Sequence, residues 1–320
     1  AGMRSINNVV DVSNLVNLEL NQPNHAYDFD AVKDGFIVRL ARDDEKFTTL
    51  DAVERTLSAN DLLICNAQDQ PVGIAGIMGG LQSEVTDATT SIAVEIAHFE
   101  PDAVRATSTR LALRTEASLR FERGVDPYGS EFAVARFAEL LRITCPDLVV
   151  HAGGTDARTD ALPAQVRNTS LRLNTIKRVL GIDVTAKALE DLIAPIGFTF
   201  AKSATDGVVD VGIPSWRNDC NSEIDIVEEV ARHYGYDNLG KIVPTSPVHG
   251  RLSDVQRRRR IVREIVVSLG ASEAMPNPFL APGDLAKVGL SEDNALKLAN
   301  PLVAEESVLR TSLVPGMLKS

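Results

Sequence analysis

The segment QPNHAYDFD, residues 22–30, places one histidine between a proline and two acids. His25 could act in acid–base chemistry or bind a metal, because imidazole does both near neutral pH. Asp28 and Asp30 could add carboxylates, but no second histidine or cysteine lies near in the sequence, which argues against a metal site. A lone histidine in a turn is more often a hydrogen-bonded structural residue. The residues alone leave a catalytic and a structural role open.

A glycine-rich run and a strand-borne acid could form a second polar site. The run GIAGIMGG, residues 73–80, matches neither the dinucleotide-binding nor the phosphate-loop spacing. Its glycines either relieve backbone crowding or form a wall beside a ligand, and the small Ala75 and Gly76 favour the wall. Glu95 lies in the alternating strand SIAVEIAHF, on a face with alanines. That face is either wet or lines a polar pocket, because burying an unpartnered acid is costly.

Four carboxylates lie close together in the segment RNDCNSEIDIVEEVAR. They are Asp219, Asp225, Glu228 and Glu229. On a helix, Asp225 would share a face with the acids three and four residues later, where like charges repel. A hard cation such as Mg²⁺ would offset that repulsion. The alternative is a set of acids placed in the first helical turn, where the helix dipole favours them. The spacing alone favours this alternative.

Composition restricts the class of protein. With 44% hydrophobic and 24% charged residues, the chain has the balance of a globular protein, and 320 residues suggest two or three domains. It has no apolar run of the ~20 residues that a membrane helix needs, and no secretory signal. Its three cysteines are widely spaced, which fits the reducing cytoplasm. A chain that opens without methionine and stops inside an apolar pattern also suggests a fragment of something larger.

Net charge argues against general affinity for polyanions. At −11 the chain repels nucleic acid on average, so such a partner must be met by local basic patches or by other chains. One such patch is the run Arg257–Arg263, with five arginines in seven residues on a predicted helix. From charge alone, a solvated helical face is the slightly better interpretation of this run.

The secondary-structure pattern predicts an α+β, multidomain chain. NVVDVSNLVNLEL reads as an amphipathic helix, TTLDAVERTL as a hairpin and SIAVEIAHF as a strand. The polar segment TDARTDALPAQVRNTS, residues 155–170, reads as a connector between domains. Beyond it, two short helices, a hairpin at Asp206-Gly207 and a third helix indicate a winged-helix-like module.

Six runs of the sequence together resemble one known family. They are RSINNVVDVSN, QPNHAYDFD, GIAGIMGG, VEIAHFEPDAVRATSTRLALRTEASLRFERGVDP, IPSWRNDCNSEIDIVEEVARHYGYDNL and NPLVAEESVLRTSLVPGML. They resemble the β subunit of bacterial phenylalanyl-tRNA synthetase over essentially the whole chain. A run as long as LRTEASLRFERGVDP is far more specific than any of the short motifs above.

The resemblance implies an (αβ)₂ heterotetramer in which a catalytic α subunit and the β subunit join phenylalanine to tRNA-Phe, using ATP and Mg²⁺. Residues 1–156 resemble the family's editing domain, which hydrolyses tyrosine mischarged onto that tRNA. Residues 167–240 resemble its winged-helix-like module. Residues 244–320 resemble the start of a catalytic-like but non-catalytic class II domain. The family's N-terminal tRNA-binding and anticodon-binding portions would lie outside this chain.

The resemblance also implies roles for particular residues of an editing pocket without metal. The catalytic group would be His25, Asn14 and Glu95, and the substrate-binding group Ser13, Ala75 and Gly76. Glu95 would recognise the phenol of tyrosine, while His25 and Asn14 would orient the ester and a water. The alanine and glycine would leave room for the ring. Ser13 stands where many relatives have threonine and keeps the hydroxyl.

The remaining acids receive roles from the same resemblance. Asp219, Asp225, Glu228 and Glu229 match family positions assigned to Mg²⁺ shared with the α subunit. Asp28 and Asp30 are expected to be turn and strand-start residues.

Three hypotheses from different classes follow. The first is a hydrolytic proofreading module within a ligase subunit. The second is a scaffold that binds tRNA and the α subunit without cleaving anything. The third is a metal-dependent phosphohydrolase built on the acidic cluster, which is disfavoured because no phosphate-cradling loop accompanies those acids.

Overall fold

The computed structural model describes residues 2–241 and 250–320, which form two compact units, Ala1–Lys241 and Ile242–Ser320. Both units mix helices with small sheets, so the α+β prediction is confirmed. Among the described residues, every helix is too short or too polar to cross a bilayer.

Short strands and helices alternate in the first part of the first unit, residues 2–145. In chain order they are α1 (Asn8–Leu20), β1 (Asn24–Asp28), α2 (Phe29–Val32), β2 (Phe36–Leu40), β3 (Lys46–Thr48), β4 (Glu54–Thr56), β5 (Leu62–Asn66), β6 (Pro71–Ile74), β7 (Met78–Gly79), β8 (Ile92–Ile96), α3 (Pro101–Arg110), α4 (Glu116–Phe121) and α5 (Ser130–Thr144). Strands β2, β5, β6 and β7 form an antiparallel sheet in the order β2-β5-β6-β7. Strand β3 pairs with β4, which confirms the predicted hairpin.

Helix α1 confirms the first predicted helix and anchors one of two cores. The Asn7 side chain accepts a hydrogen bond from the Val10 N–H and so satisfies a free donor at the start of the helix. Val12 and Val16 of α1 are buried, and they form a core with apolar residues of α5 that include Phe137. An amphipathic stripe on each helix produces this contact.

The two-stranded ribbon of β1 and β8 lies between that core and a second one. Val94 of β8 packs with α1 and α5, whereas Ala93 and Ala97 pack on the larger core that contains Tyr27 and Phe121. Because successive side chains point to opposite faces of a strand, Glu95 shares the face of the alanines. The predicted division of faces in SIAVEIAHF is confirmed.

The structure corrects the interpretation of residues 22–30 as a turn. Asn24–Asp28 forms β1, and Asp28 caps α2 by accepting a hydrogen bond from the Asp30 N–H at 3.0 Å. Asp28 also accepts one from the Thr89 hydroxyl at 2.6 Å. The two acids therefore stand at the end of a strand and the start of a helix. The proline before the strand was the misleading signal, because proline is also tolerated next to a strand start.

The second part of this unit contains β9 (Val166–Arg172), α6 (Leu173–Leu180), α7 (Ala186–Ile193), β10 (Thr199–Lys202), β11 (Val208–Pro214) and α8 (Glu223–Tyr234). The hairpin of β10 and β11 turns at Gly207, which has φ +73°, as predicted. The predicted connector is partly wrong, since its last residues belong to β9, the edge strand beside β11. An edge strand buries few side chains, so its sequence stays polar.

The second unit holds α9 (Asp254–Ser268), β12 (Phe279–Leu280), β13 (Val308–Leu309) and α10 (Val314–Lys319). Helix α9 confirms the predicted helix and begins at a capping box formed by Ser253 and Gln256. The arginines of the run Arg257–Arg263 are exposed among the described residues. A small core around Leu280 and Leu285 holds the short ladder of β12 and β13.

Candidate functional site

Pairing of β1 with β8 brings His25 and Glu95 together from distant parts of the sequence. The two strands are antiparallel, and His25 lies directly opposite Glu95 in the register. Residues in that relation have side chains on the same face, in reach of each other. Both residues are half-buried. The structure therefore brings together two of the predicted catalytic residues.

A phenol already contacts the carboxylate. The hydroxyl of Tyr27, two residues after His25 on the same strand face, donates a hydrogen bond to Glu95 Oε2 at 2.6 Å. The His25 and Tyr27 rings meet edge to face, with centroids 4.5 Å apart. Such contacts fix the orientation of both rings. Sequence reasoning missed Tyr27, although the two-residue period of a strand would have placed it beside His25.

Two glycines of the glycine-rich run allow this group to pack closely. A Cβ atom at Gly79 would lie 2.3 Å from His25 Nε2, and one at Gly73 would lie 3.2 Å from the Tyr27 hydroxyl. Only a residue without a side chain fits against the imidazole. The Nε2 atom is inaccessible to solvent and has no hydrogen-bond partner within residues 2–241 and 250–320.

Burial changes the protonation of both catalytic candidates. Protein atoms around the Glu95 carboxyl raise its pKa to about 7, and the Tyr27 hydrogen bond opposes this rise. Burial lowers the pKa of His25 to about 4. At neutral pH the imidazole is therefore uncharged, while Glu95 is near its midpoint. A neutral imidazole retains one nitrogen that accepts a proton or a hydrogen bond.

These shifts predict opposite effects of pH on stability. Glu95 holds its proton more tightly in the folded state, so its contribution to the free energy of unfolding falls as pH rises from about 4.5 to 7. His25 holds its proton less tightly when folded, so its contribution rises from about pH 4 to 6.5. Between about pH 4.5 and 7, the free energy of unfolding of Glu95→Gln should change with pH by about +1.4 kcal/mol per pH unit relative to the parent. Between about pH 4 and 6.5, that of His25→Asn should change by the same amount in the opposite direction. Urea unfolding at several pH values measures this, and identical slopes in all three proteins would contradict it.

The structure places the other predicted pocket residues differently. Ala75 is buried in the larger core, and a Cβ at Gly76 would lie 3.0 Å from both Phe99 and Phe121. Their role beside a substrate ring stays a prediction, while Gly73 and Gly79 are the glycines that adjoin Tyr27 and His25. The two consecutive glycines that end the run, Gly79 and Gly80, were a sequence signal that could have pointed to Gly79.

Two predicted residues lie on α1, next to the start of β1. The Ser13 hydroxyl donates to the backbone oxygen of Asn24 at 3.1 Å, one residue before His25. Asn14, the next residue on α1, is half-buried. The hydroxyl therefore ties the helix to the strand that carries the imidazole.

Only two of the four predicted metal-binding acids, Asp219 and Glu229, lie close together, and they do so around Arg217. Nη2 of Arg217 lies 2.6 Å from Asp219 Oδ2 and 2.7 Å from Glu229 Oε1. Nε of Arg232 is 3.1 Å from the same Glu229 oxygen. Hydrogen bonds from Arg217 hold the pKa values of both acids below their usual range. The offsetting cation is thus supplied by the chain itself.

The other two acids face elsewhere. Asp225 accepts hydrogen bonds from the backbone N–H groups of Asn221 and Ser222 in a capping box at the start of α8. Glu228 is exposed. Cys220 has an Sγ close to the Asp219 and Glu229 oxygens, but burial raises the pKa of its thiol to about 11, and a thiol is a poor Mg²⁺ ligand. The four acids do not fit an oxygen cage for Mg²⁺ in this arrangement.

Comparison with family profiles identifies three domains along the chain. Residues 1–146 match the B3/4 domain, residues 169–236 the tRNA synthetase B5 domain, and residues 239–320 the phenylalanyl tRNA synthetase beta chain CLM domain.

Curated relatives agree with these domains. Phenylalanine–tRNA ligase beta subunits from Geobacter sulfurreducens and Moorella thermoacetica are 41% and 39% identical, each over 100% of this chain and 40% of the relative. The subunit from Halalkalibacterium halodurans is 40% identical over 99% of this chain and 39% of its own length. A solved N-terminal fragment of the phenylalanyl-tRNA synthetase beta-subunit from Pyrococcus horikoshii is 14% identical over 71% of this chain and 65% of that one. Its TM-score of 0.35 carries no argument about the fold. The chain belongs to the phenylalanine–tRNA ligase β-subunit family and spans about 40% of the length of these curated relatives.

Proposed function

We propose that this chain is the proofreading part of a phenylalanine–tRNA ligase β subunit, and that it hydrolyses tyrosine mischarged onto tRNA-Phe. The observation that carries this proposal is the Tyr27–Glu95 hydrogen bond of 2.6 Å. It demonstrates a half-buried carboxylate in a position to bind a phenolic hydroxyl, which is the one group that distinguishes tyrosine from phenylalanine.

The physics of discrimination supports a second site of this kind. An apolar synthetic pocket rejects a substrate with an added hydroxyl only about 10²-fold. A site that binds the hydroxyl directly discriminates far better, because an analogue without it leaves a buried polar group unpaired. Glu95, whose carboxyl is desolvated by the protein around it, meets that requirement.

His25 and Asn14 would act at the ester end of the substrate, and Ser13 would hold the helix and strand that carry them together. Because the pKa of His25 is lowered to about 4, its imidazole is neutral at physiological pH. Nε2 is closed off from solvent, so Nδ1 would be the atom that accepts a hydrogen bond from a water. We assign His25 and Asn14 to orienting that water and the ester carbonyl, and Ser13 to holding α1 against β1. The water would attack the carbonyl carbon, and the bond to the ribose oxygen would break, releasing tyrosine and tRNA.

The complete ligase reaction needs more than this chain. We propose a catalytic α subunit as partner in an (αβ)₂ enzyme that attaches phenylalanine to tRNA-Phe with ATP and Mg²⁺, in the bacterial cytoplasm. We expect no ATP–pyrophosphate exchange by this chain alone, and such exchange would contradict the assignment of synthesis to the α subunit.

Mg²⁺ binding at the acidic cluster remains a prediction for the assembled enzyme. Because Arg217 already neutralises Asp219 and Glu229, this chain alone should gain no stability from millimolar Mg²⁺. Arg217→Ala should lower the free energy of unfolding by about 3 kcal/mol, since it leaves the buried Glu229 short of a partner, and Mg²⁺ should restore part of that loss. Fluorescence of Trp216, the single tryptophan, reports unfolding of this part of the chain. Equal stabilisation of parent and variant by Mg²⁺ would contradict the prediction.

A deacylation assay on matched tyrosyl-tRNA-Phe and phenylalanyl-tRNA-Phe tests the proposed function. The assembled enzyme should clear the tyrosyl ester and spare the phenylalanyl ester. Hydrolysis that survives EDTA would separate this activity from a metal-dependent phosphohydrolase. Equal clearance of both esters would contradict the proposal.

A scaffold that binds tRNA and the α subunit without hydrolysis is the second candidate. One observation favours it: Phe99 and Phe121 fill the space around Gly76. Binding of tRNA without cleavage of either ester would support this candidate over the first.

A further inference from the structure

A cleft lined by arginines lies beside the segment that joins α3 to α4. It has a volume of about 590 Å³. Its lining includes Arg105, Arg114, Arg123 and Glu122, with Ser108 and Thr109 between them. The side chains of the three arginines are 63%, 68% and 67% exposed. In a chain with a net charge of −11, this is a local concentration of positive charge.

A smaller cleft shares one lining residue with the first. It has a volume of about 280 Å³ and is lined by Asn21, Leu119, Arg120 and Arg123. Arg123 borders both clefts, and Asn21 ends α1 shortly before β1 begins. We call the surface formed by the two clefts the arginine cleft. Its lining includes Asn21, three residues before the strand that carries His25 begins.

The arginine segment is also tied to the glycine-rich run. The hydroxyl of Thr115, next to Arg114, donates to the backbone oxygen of Ile77 at 2.9 Å. Ile77 lies two residues before Gly79, which packs against His25. The cleft and the His25–Glu95 pair are therefore positioned by the same short segments of chain.

The arginines are only weakly committed to partners within the chain. Arg114 lies 3.3 Å and Arg123 3.6 Å from the same carboxylate oxygen of Glu122, so two cations share one acid. Arg105 pairs with Asp102 and Arg120 with Glu116. The exposed pairs of Arg105, Arg114 and Arg123 contribute little to stability, so an incoming anion can replace their acids. Arg120, which is 17% exposed, is held more firmly by Glu116.

The ends of two helices weaken the positive potential of the cleft. The C-terminal ends of α3 and α4 face this region, and each carries about half a negative charge. The lining holds four arginines and one acid, Glu122. Asp102 pairs with Arg105 and Glu116 with Arg120, so the excess positive charge lies on Arg114 and Arg123, which share Glu122. A planar guanidinium also matches phosphate oxygens with two parallel hydrogen bonds.

We propose that the arginine cleft binds the sugar-phosphate backbone of single-stranded RNA and guides its 3′ end to the His25–Glu95 pair. Two clefts that share Arg123 and are lined by four arginines offer contacts to several successive phosphates, more than one small anion would use. The identity of the RNA as the acceptor end of an aminoacylated tRNA rests on the proposed function.

Salt-dependent binding of a labelled single-stranded oligoribonucleotide to the 320-residue chain tests this inference. The cleft variant is Arg114→Ala with Arg123→Ala. Removing two phosphate contacts should reduce the slope of log affinity against log salt by about 1.4 and weaken binding about tenfold at physiological salt. Arg114→Lys with Arg123→Lys keeps the charge and should retain most of the affinity, which guards against a folding defect in the alanine variant.

The matched control is Arg142→Ala with Arg178→Ala. These two exposed arginines lie in the last turns of α5 and α6, outside the cleft, and their loss changes net charge equally. We expect the control to bind RNA like the parent. Equal losses in cleft and control variants, or no loss in the cleft variant, would overturn the inference. Displacement of RNA by inorganic phosphate at equal phosphate concentration would also overturn it.

Kinetics with the assembled enzyme separate this inference from the proposed function. The cleft variant should raise KM for tyrosyl-tRNA-Phe with little change in kcat, because the arginines bind RNA and not the reacting ester. If the parent enzyme hydrolyses neither ester, the proposed function fails while RNA binding still tests the cleft. If the cleft variant hydrolyses with unchanged KM, only the cleft assignment fails.

Discussion

Replacing Glu95 with alanine in the assembled enzyme should lower the preference for tyrosyl over phenylalanyl ester by tenfold to about a hundredfold. The lost interaction is a hydrogen bond to a charged group in a half-buried site, which is worth roughly 1.5–3 kcal/mol. Most of the change should appear in the rate for the tyrosyl ester, because phenylalanine offers Glu95 no hydroxyl. Parallel deacylation assays on the two esters give the ratio directly.

Two conservative variants make that result interpretable. Glu95→Gln keeps the size of the side chain and an acceptor for Tyr27, so a smaller loss of preference isolates the role of charge. Tyr27→Phe removes the internal phenol, and with it the hydrogen bond that favours the carboxylate. Since the pKa of Glu95 is about 7, the parent's preference for tyrosine should rise through neutral pH, and Tyr27→Phe should move that rise to higher pH. A preference unchanged in Glu95→Ala would exclude recognition of the phenol by this residue.

Gly79→Ala should reduce hydrolysis of the tyrosyl ester by about 10²-fold. The new methyl group would stand 2.3 Å from His25 Nε2, so the imidazole must move, and a displacement near 1 Å costs about this much in rate. Overpacking of this kind should also cost about 1–3 kcal/mol in the free energy of unfolding. Single-turnover deacylation and urea unfolding measure the two effects separately.

The matched control is Gly154→Ala. A Cβ at that position meets no atom within 4 Å, and its backbone is not in the left-handed region, so rate and stability should stay near those of the parent. Activity of Gly79→Ala at the level of this control would show that the position of His25 does not govern hydrolysis. A loss of stability without a loss of rate would assign Gly79 to packing alone.

The Tyr27 hydrogen bond bears on how Glu95 would act in the proposed recognition of tyrosine. A tyrosine substrate would meet a carboxylate that already holds the phenol of Tyr27 on Oε2. An ionised carboxylate has acceptor sites for further donors on both oxygens, so two phenols can bind it together. The alternative is exchange, in which the substrate replaces Tyr27. Tighter binding of tyrosine by Tyr27→Phe would support exchange, and weaker binding would support shared recognition.

Local patterns determined a large part of this protein. The helical spacing of apolar residues such as Val12 and Val16 predicted α1. The alternation of large apolar residues with small or polar ones in SIAVEIAHF predicted β8 and the face that carries Glu95. Asp206 and Gly207 predicted a hairpin that the structure contains. These features depend on the few residues around them, because helix and strand periods and turn conformations are set by local sterics.

Tertiary structure alone decided which residues meet. The pairing of β1 with β8 set His25 opposite Glu95. It depends on two cores built by other parts of the chain, because β8 buries one face on each of them and Tyr27 of β1 belongs to the larger one. Packing likewise brought Gly79 against the imidazole, and the fold of the loop before α8 placed Arg217 between two acids. A local pattern specifies the face on which a side chain lies. It does not specify what lies across from that face, because long-range pairing is fixed by the total burial of all the elements together.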